Sequence, residues 1–289
     1  MERSILDALH GFHTRFVHAG TCALRVLEGG EGPPLVLLHG RGHAATIWFP
    51  LLPSLAARFR VLALDLPGFG SSAAPPFTGS TPQDALRYFA DPLEHALRGL
   101  SSAPAAIVGH SLGAMCAVEL ALRRNLPLAS LSLIGGMGLG PEMTFASRAF
   151  FKTGPERLAR ALGPRLFARM LPAGTNENAR RVFELEYELL SVEGGRPEPE
   201  RAFNLFFGMS GPAWNLQPRL NDLTLPVMLL WGRFDAAFPA VTAIEAASAI
   251  RQNEMHIESG GHAPHLERPA AILPLLLDFL GRTAGRQAT

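Results

Sequence analysis

Ser111, Asp235 and His262 are residue types that together turn a weak hydroxyl nucleophile into a strong one. A serine hydroxyl needs an adjacent base to take its proton, and the base needs a carboxylate to orient it. Ser111 stands in Gly109-His110-Ser111-Leu112-Gly113, between the apolar run 104–108 and an apolar-periodic stretch that begins at Leu112. That pattern reads as strand, sharp turn, helix. A side chain at either glycine would clash with a neighbouring strand or helix, so the glycines let Ser111 sit at the apex with its hydroxyl exposed. Gly260-Gly261-His262 follows the final strand and precedes Pro264 and a closing helix, which puts His262 on a loop at the sheet edge. Trp231-Gly232-Arg233-Phe234-Asp235 follows the strand before it and puts Asp235 at that strand's carboxyl end. Ligands of open α/β sheets bind outside the carboxyl ends of the strands, so the three residues share one rim.

Each candidate also has a structural reading. Ser111 can be a helix N-cap, and Asp235 can cap a helix that begins near Phe238-Pro239. Asp65 is the rival carboxylate, although Asp65-Leu66-Pro67-Gly68-Phe69-Gly70 is the setting of a side chain that braces a turn through backbone N–H groups. His39 reads as a pin between loops and His110 as a core histidine, whereas His43 and His265 lie near the rim as candidates to touch substrate. The Arg41 guanidinium either grips a substrate carboxylate or, as the preferred reading, points to solvent.

The elements that must position these residues follow from apolar patterning. Residues 15–18 and 21–27 read as an edge hairpin, and 34–38, 60–64, 104–108, 128–134, 226–231 and 254–257 as strands. Several are continuous apolar runs, as expected of strands covered on both faces. Helical patterns fill 44–59, 82–100, 112–124, 241–250 and 264–280, and a short amphipathic helix is read over 4–12. The fold class is therefore α/β: a mostly parallel central sheet of about eight strands, with helices on both faces. Between residues 138 and 220 the alternation stops and only helical patterns appear, broken by Gly-Pro and Gly-Gly pairs. The expected division is a core over 1–137 and 221–289, interrupted by a helical lid over 138–220. Phe150, Phe151, Phe206, Phe207, Met209 and Trp214 are candidates to line an apolar pocket beneath it, with packing inside the lid as the other reading.

Composition bounds the partners. The 289 residues are 47% apolar and carry a net charge of +1, with one lysine and no basic run, which argues against nucleic acid. Two cysteines, Cys22 and Cys116, are too few for a disulfide framework. No apolar run approaches a membrane span, and residues 1–20 lack a signal-peptide core, so a cytoplasmic protein is expected. No metal-ligand spacing and no phosphate-binding glycine loop appears, so no cofactor and no metal are implied; the expected partner is a small molecule, and the chain is expected as a monomer or homodimer.

Five ordered motifs, His39-Gly40, Asp65-x-Pro67-Gly68-x-Gly70-x-Ser72, Gly109-x-Ser111-x-Gly113, Gly232-x-x-Asp235 and Gly261-His262 with Glu267-x-Pro269, resemble the α/β-hydrolase superfamily over nearly the whole chain. The order Ser, Asp, His is also that family's order. By that resemblance Ser111 is the nucleophile, His262 the base and Asp235 its partner, and the backbone N–H groups of Arg41 and Leu112 form the oxyanion hole. A serine at the elbow argues against the dehalogenases and epoxide hydrolases of the family, which use aspartate there. The resemblance implies a carboxylesterase-like enzyme that cleaves an ester, or a related acyl bond, of a small to medium apolar substrate through an acyl-enzyme. The same residues would serve a C–C bond hydrolase or lyase, and also an acyltransferase, thioesterase or cofactor-free haloperoxidase-like enzyme.

Overall fold

Eight strands form one sheet in the computed structural model of the chain, which describes residues 9–141, 143–153, 161–163, 166, 197–208 and 210–284. They are β1 (Phe12–Ala19), β2 (Cys22–Gly29), β3 (Pro34–Leu38), β4 (Arg60–Leu64), β5 (Ala105–His110), β6 (Leu128–Ile134), β7 (Val227–Gly232) and β8 (Asn253–Glu258), in the order β1-β2-β4-β3-β5-β6-β7-β8. β1 pairs antiparallel with β2 and β2 with β4; from β4 to β8 every pairing is parallel. The mostly parallel sheet expected from patterning is present.

The apolar runs are continuous because both faces of the sheet are covered, and successive side chains go to opposite faces. On β3, Val36 and Leu38 join one core while Leu35 and Leu37 join the other; Leu62 and Leu64 on β4 oppose Val61 and Ala63 in the same way. One core is closed by the helices Pro82–Leu100, Leu112–Arg123 and Val241–Ala249, the other by Leu52–Ala56 and Pro269–Thr283. Each leucine or isoleucine fully removed from water there contributes about 1.5–3 kcal/mol.

Three expectations change in detail. The helix read over 44–59 is a 3₁₀ turn, Ala45–Trp48, and a short helix, Leu52–Ala56, because Pro50 and Pro53 cannot donate to a continuous helical ladder. The closing helix is two, Pro264–Glu267 and Pro269–Thr283, since the residue before Pro269 is pushed out of the helical region; Arg268 has φ −140° and ψ 55°. Of the stretch read as a helix over 4–12, residues 1–8 lie outside the described residues, and Phe12 already begins β1.

Between β6 and β7 the described residues contain the helices Phe145–Thr153 and Pro197–Asn204 and a 3₁₀ turn, Gln217–Asp222, and no strand. Most of the expected lid, with Met209 and the side chains of Phe150 and Phe151, lies outside the described residues. The Pro197–Asn204 helix packs on Pro82–Leu100 and on the loop after β4: a Cβ on Gly68 would sit 2.9 Å from Pro199 Cγ, and Arg201 donates to the Phe77 carbonyl at 2.8 Å. Parallel pairing sets the carboxyl ends of β3, β5, β6, β7 and β8 side by side, so His39, Ser111, Gly135, Asp235 and His262 all leave the sheet at one edge.

Candidate active site

Ser111 is one of two non-glycine residues with positive φ among the described residues, at φ 52° and ψ −115°. The other, Arg124, ends a helix in an ordinary left-handed cap. Ser111 is held in its unusual conformation from both sides: its N–H donates to the Ile134 carbonyl at 3.0 Å, and its own carbonyl accepts from Met137 N–H at 3.1 Å. Both flanking glycines are required by space. A Cβ on Gly109 would stand 2.6 Å from the Gly113 carbonyl oxygen, and one on Gly113 would collide with the carbonyls of Leu38 and His39. A strained residue held this firmly is a mark of function rather than of loose packing.

The loop after β3 abuts this turn. Gly40 to His43 form a tight turn closed by His43 N–H to the Gly40 carbonyl at 3.3 Å, with Gly42 at φ 75° where only glycine is comfortable. A Cβ on Gly40 would lie 3.1 Å from Ser111 Cβ. His39 anchors the turn: its Nε2 accepts from Leu66 N–H at 2.9 Å, so Nδ1 carries the hydrogen and donates to the Gly40 carbonyl at 2.7 Å. Burial holds His39 down at about 4 despite the nearby Asp65 charge, so it stays neutral. Asp65 is fully buried, accepts from Ala45 N–H at 2.6 Å and Ser71 N–H at 2.8 Å, and pairs with Arg25 at 2.7 Å. Its oxygens are occupied in bracing the loop.

His262 Nδ1 lies 2.9 Å from Asp235 Oδ2. The carboxylate is fully buried, and its other oxygen accepts from Ala237 N–H at 2.8 Å and Phe238 N–H at 2.9 Å, while the histidine side chain is 25% exposed. Asp235 therefore both closes a turn, as its capping reading requires, and orients the imidazole. Burial pulls the His262 pKa down, but the charge and hydrogen bond of Asp235, with the charge of Glu267, outweigh it and leave His262 above its ordinary value. The loop is tied down by Glu267, which accepts from Gly261 N–H at 2.6 Å and Ala263 N–H at 3.3 Å, and by His110 Nε2, 3.1 Å from the His262 carbonyl. Since a carbonyl only accepts, His110 donates there. The histidine next to Ser111 in sequence thus holds the loop that carries His262, and a Cβ on Gly135 would stand 2.8 Å from the same carbonyl. A hydroxyl on a strained apex, an imidazole oriented by a buried carboxylate and a helix N-terminus directly after the serine can together support acyl transfer.

The other expected residues fall in three groups. His43 is half-buried, and burial followed by the charges of His262 and Arg41 brings it down to about 3. His265 is fully buried between Trp48 and His110, each ring 4.7 Å away, so it stands behind His110 rather than open to the rim. Phe206 and Phe207 are buried and pack edge-on against Phe203, while half-buried Trp214 lies 5.7 Å from Phe206; this aromatic group reaches the sheet-covering helix through Phe89. Cys22 and Cys116 are buried and unbridged, and burial pushes the Cys116 thiol up to about 12.

Residues 33–269 match the family model described as the alpha/beta hydrolase fold. The chain belongs to that family. Among curated relatives, this α/β-hydrolase is 27% identical to a pimeloyl-[acyl-carrier protein] methyl ester esterase of Aeromonas hydrophila, over 87% of this chain and 97% of that one. It is 26% identical to a 2-hydroxy-6-oxo-6-(2'-aminophenyl)hexa-2,4-dienoic acid hydrolase of Metapseudomonas resinovorans, over 93% and 91%. Its fold is similar to that of a 2-hydroxy-6-oxo-6-phenylhexa-2,4-dienoate hydrolase of Rhodococcus, with a TM-score of 0.78 and 23% identity over 93% of this chain and 99% of that one. The chain is accordingly an enzyme of the α/β-hydrolase type.

The structure corrects the expectation for one side chain of this hydrolase and adds a contact for another. The Arg41 side chain does not point to solvent: it is 2% exposed and paired with Glu200 at 2.5 Å. No local pattern marks a pair separated by 159 positions. Glu267 was visible as part of a motif, but its grip on the His262 loop was not. Among the described residues no group of His, Cys, Asp and Glu is arranged to hold a metal ion, and no helix is long and apolar enough to cross a membrane.

Proposed function

We propose that this α/β-hydrolase is a serine esterase acting on a small to medium apolar acyl ester. Ser111 Oγ attacks the ester carbonyl while His262 takes its proton, and the negative oxygen that develops is held by the backbone N–H groups of Leu112 and Arg41. The alcohol leaves with the proton from His262, which then activates water to release the acid. Asp235 keeps the hydrogen of His262 on Nδ1, so that Nε2 faces the nucleophile as an acceptor. The observation that carries the reading is the 2.9 Å contact between His262 Nδ1 and a fully buried Asp235 carboxylate, on a loop tied to the residue preceding Ser111. The buried aromatic side chains of the inserted segment support an apolar acyl site beneath a helical lid spanning 138–220.

The relative from Metapseudomonas resinovorans supports a second reading, cleavage of a C–C bond by the same residues. One experiment separates the two. Hydrolysis of p-nitrophenyl acetate, butyrate, octanoate and palmitate is measured for wild type and Ser111→Ala. Activity that peaks at one chain length and falls by several orders of magnitude in Ser111→Ala is expected of the esterase. Equal activity in both refutes the nucleophile, and a folded wild type silent on every ester favours C–C cleavage.

A further inference from the structure

Arg41 places a permanent, buried cation on the turn that abuts Ser111. Its backbone belongs to the turn against Ser111, its side chain is buried, and its charge acts on His43, which is in turn acted on by His262. A guanidinium out of water needs an anion. Glu200 supplies one, from the Pro197–Asn204 helix of the inserted segment, and Phe203 of the same helix lies beneath the guanidinium, 5.1 Å from ring centroid to Cζ. That helix is fixed on either side of Glu200: Pro199 sits over Gly68, and Arg201 is bonded to the Phe77 carbonyl. The glutamate is thus delivered to Arg41 by a docked element, while its own side chain remains 23% exposed.

A guanidinium presents a planar fork of donors suited to a carboxylate. Glu200 and a carboxylate on the substrate would compete for the same donors. With Glu200 in place, a second carboxylate entering the site meets a neutralised arginine and a nearby negative charge that is only partly screened by solvent. We propose that Glu200 is a specificity-determining residue. It occupies the carboxylate seat of Arg41, so that the enzyme selects uncharged acyl chains and discriminates against chains ending in a carboxylate; its removal exposes an anion subsite. This rests on the esterase reading for its substrates.

The test compares mono-p-nitrophenyl adipate and suberate with p-nitrophenyl hexanoate and octanoate, pairs matched in chain length. Wild type, Glu200→Gln, Arg41→Met and the double variant are measured; Arg41→Met keeps the backbone N–H. Wild type is expected to prefer the uncharged ester of at least one pair by at least about tenfold in kcat/KM. Glu200→Gln is expected to narrow that preference by at least about tenfold through a gain on the half-ester, and the double variant to lose the gain. Glu200→Asp, which keeps the charge but withdraws it by one methylene, shifts the ratio the same way by a smaller factor and serves if Glu200→Gln does not fold. An unchanged ratio, a shift that persists without Arg41, or a wild type that prefers half-esters overturns the proposal. Calorimetric binding of suberate monomethyl ester to Ser111→Ala and to Ser111→Ala/Glu200→Gln reads the same subsite without turnover. Binding at least about tenfold tighter in the second is expected, and equal binding overturns the subsite even if esterase activity is absent.

Discussion

Replacing Asp235 with asparagine leaves the shape of the site intact and changes which nitrogen of His262 carries the hydrogen. In the wild type, Asp235 Oδ1 accepts from Ala237 and Phe238 N–H, and Oδ2 accepts from His262 Nδ1. An asparagine keeps both backbone bonds only if its carbonyl oxygen takes the Oδ1 position. The reverse orientation would set an NH₂ group against two buried N–H donors, losing two bonds of about 1 kcal/mol each and leaving the donors unsatisfied at about 1–3 kcal/mol each. The amide nitrogen therefore faces His262 Nδ1, which must become an acceptor. The imidazole hydrogen moves to Nε2, and in the proposed mechanism His262 can then no longer take a proton from Ser111. A wrong tautomer of this kind lowers kcat by roughly 10⁴, or about 5.5 kcal/mol of barrier. The pH profile should move as well. His262 is raised above its ordinary value of 6.5, with burial opposed by Asp235 and Glu267, so wild-type kcat/KM falls as pH drops through a value above 6.5. With the Asp235 charge gone, burial dominates and that acid limb moves to lower pH. The assay is kcat/KM for p-nitrophenyl butyrate between about pH 5 and 9, with thermal melting to confirm folding. A variant within about tenfold of wild type, with an unmoved acid limb, would reduce Asp235 to a turn cap.

Two further outcomes test the fold around the site. Gly113→Ala should cost at least about 3 kcal/mol in urea denaturation, because its methyl group meets the backbone carbonyls of Leu38 and His39; Gly99→Ala, in a helix with nothing within 4 Å, should instead stabilise by about 0.5–1 kcal/mol. Equal effects at the two glycines would refute the packing argument. His39 is held at about 4 against an ordinary 6.5, so the unfolded chain takes up its proton first: its contribution is complete above pH 6.5 and is lost as pH falls toward 4, about 3 kcal/mol in all. His39→Gln should flatten the dependence of the denaturation midpoint on pH across that window, and an unaltered slope would show that His39 is not held neutral.

What the amino-acid sequence determined by itself is what local patterns encode. Continuous apolar runs such as Pro34–Leu38 mark strands buried on both faces, and the glycines around Ser111 mark a turn too tight for side chains. Because parallel strands present their carboxyl ends together, those patterns were enough to set Ser111, Asp235 and His262 on one rim. Local reading failed where two tendencies compete within a few residues: at 44–59 the helical periodicity yielded to Pro50 and Pro53, and at Pro269 the helix broke one residue earlier. Only the tertiary structure decided the contacts between remote segments. The 2.9 Å bond of His262 to Asp235, the grip of His110 and Glu267 on the His262 loop, and the burial of Arg41 against Glu200 join residues whose spacing carries no periodic signal. The side chain of Arg41 illustrates the reason. A guanidinium goes to water unless an anion meets it in the interior, and whether one does depends on how a helix 159 positions away docks across the edge of the sheet.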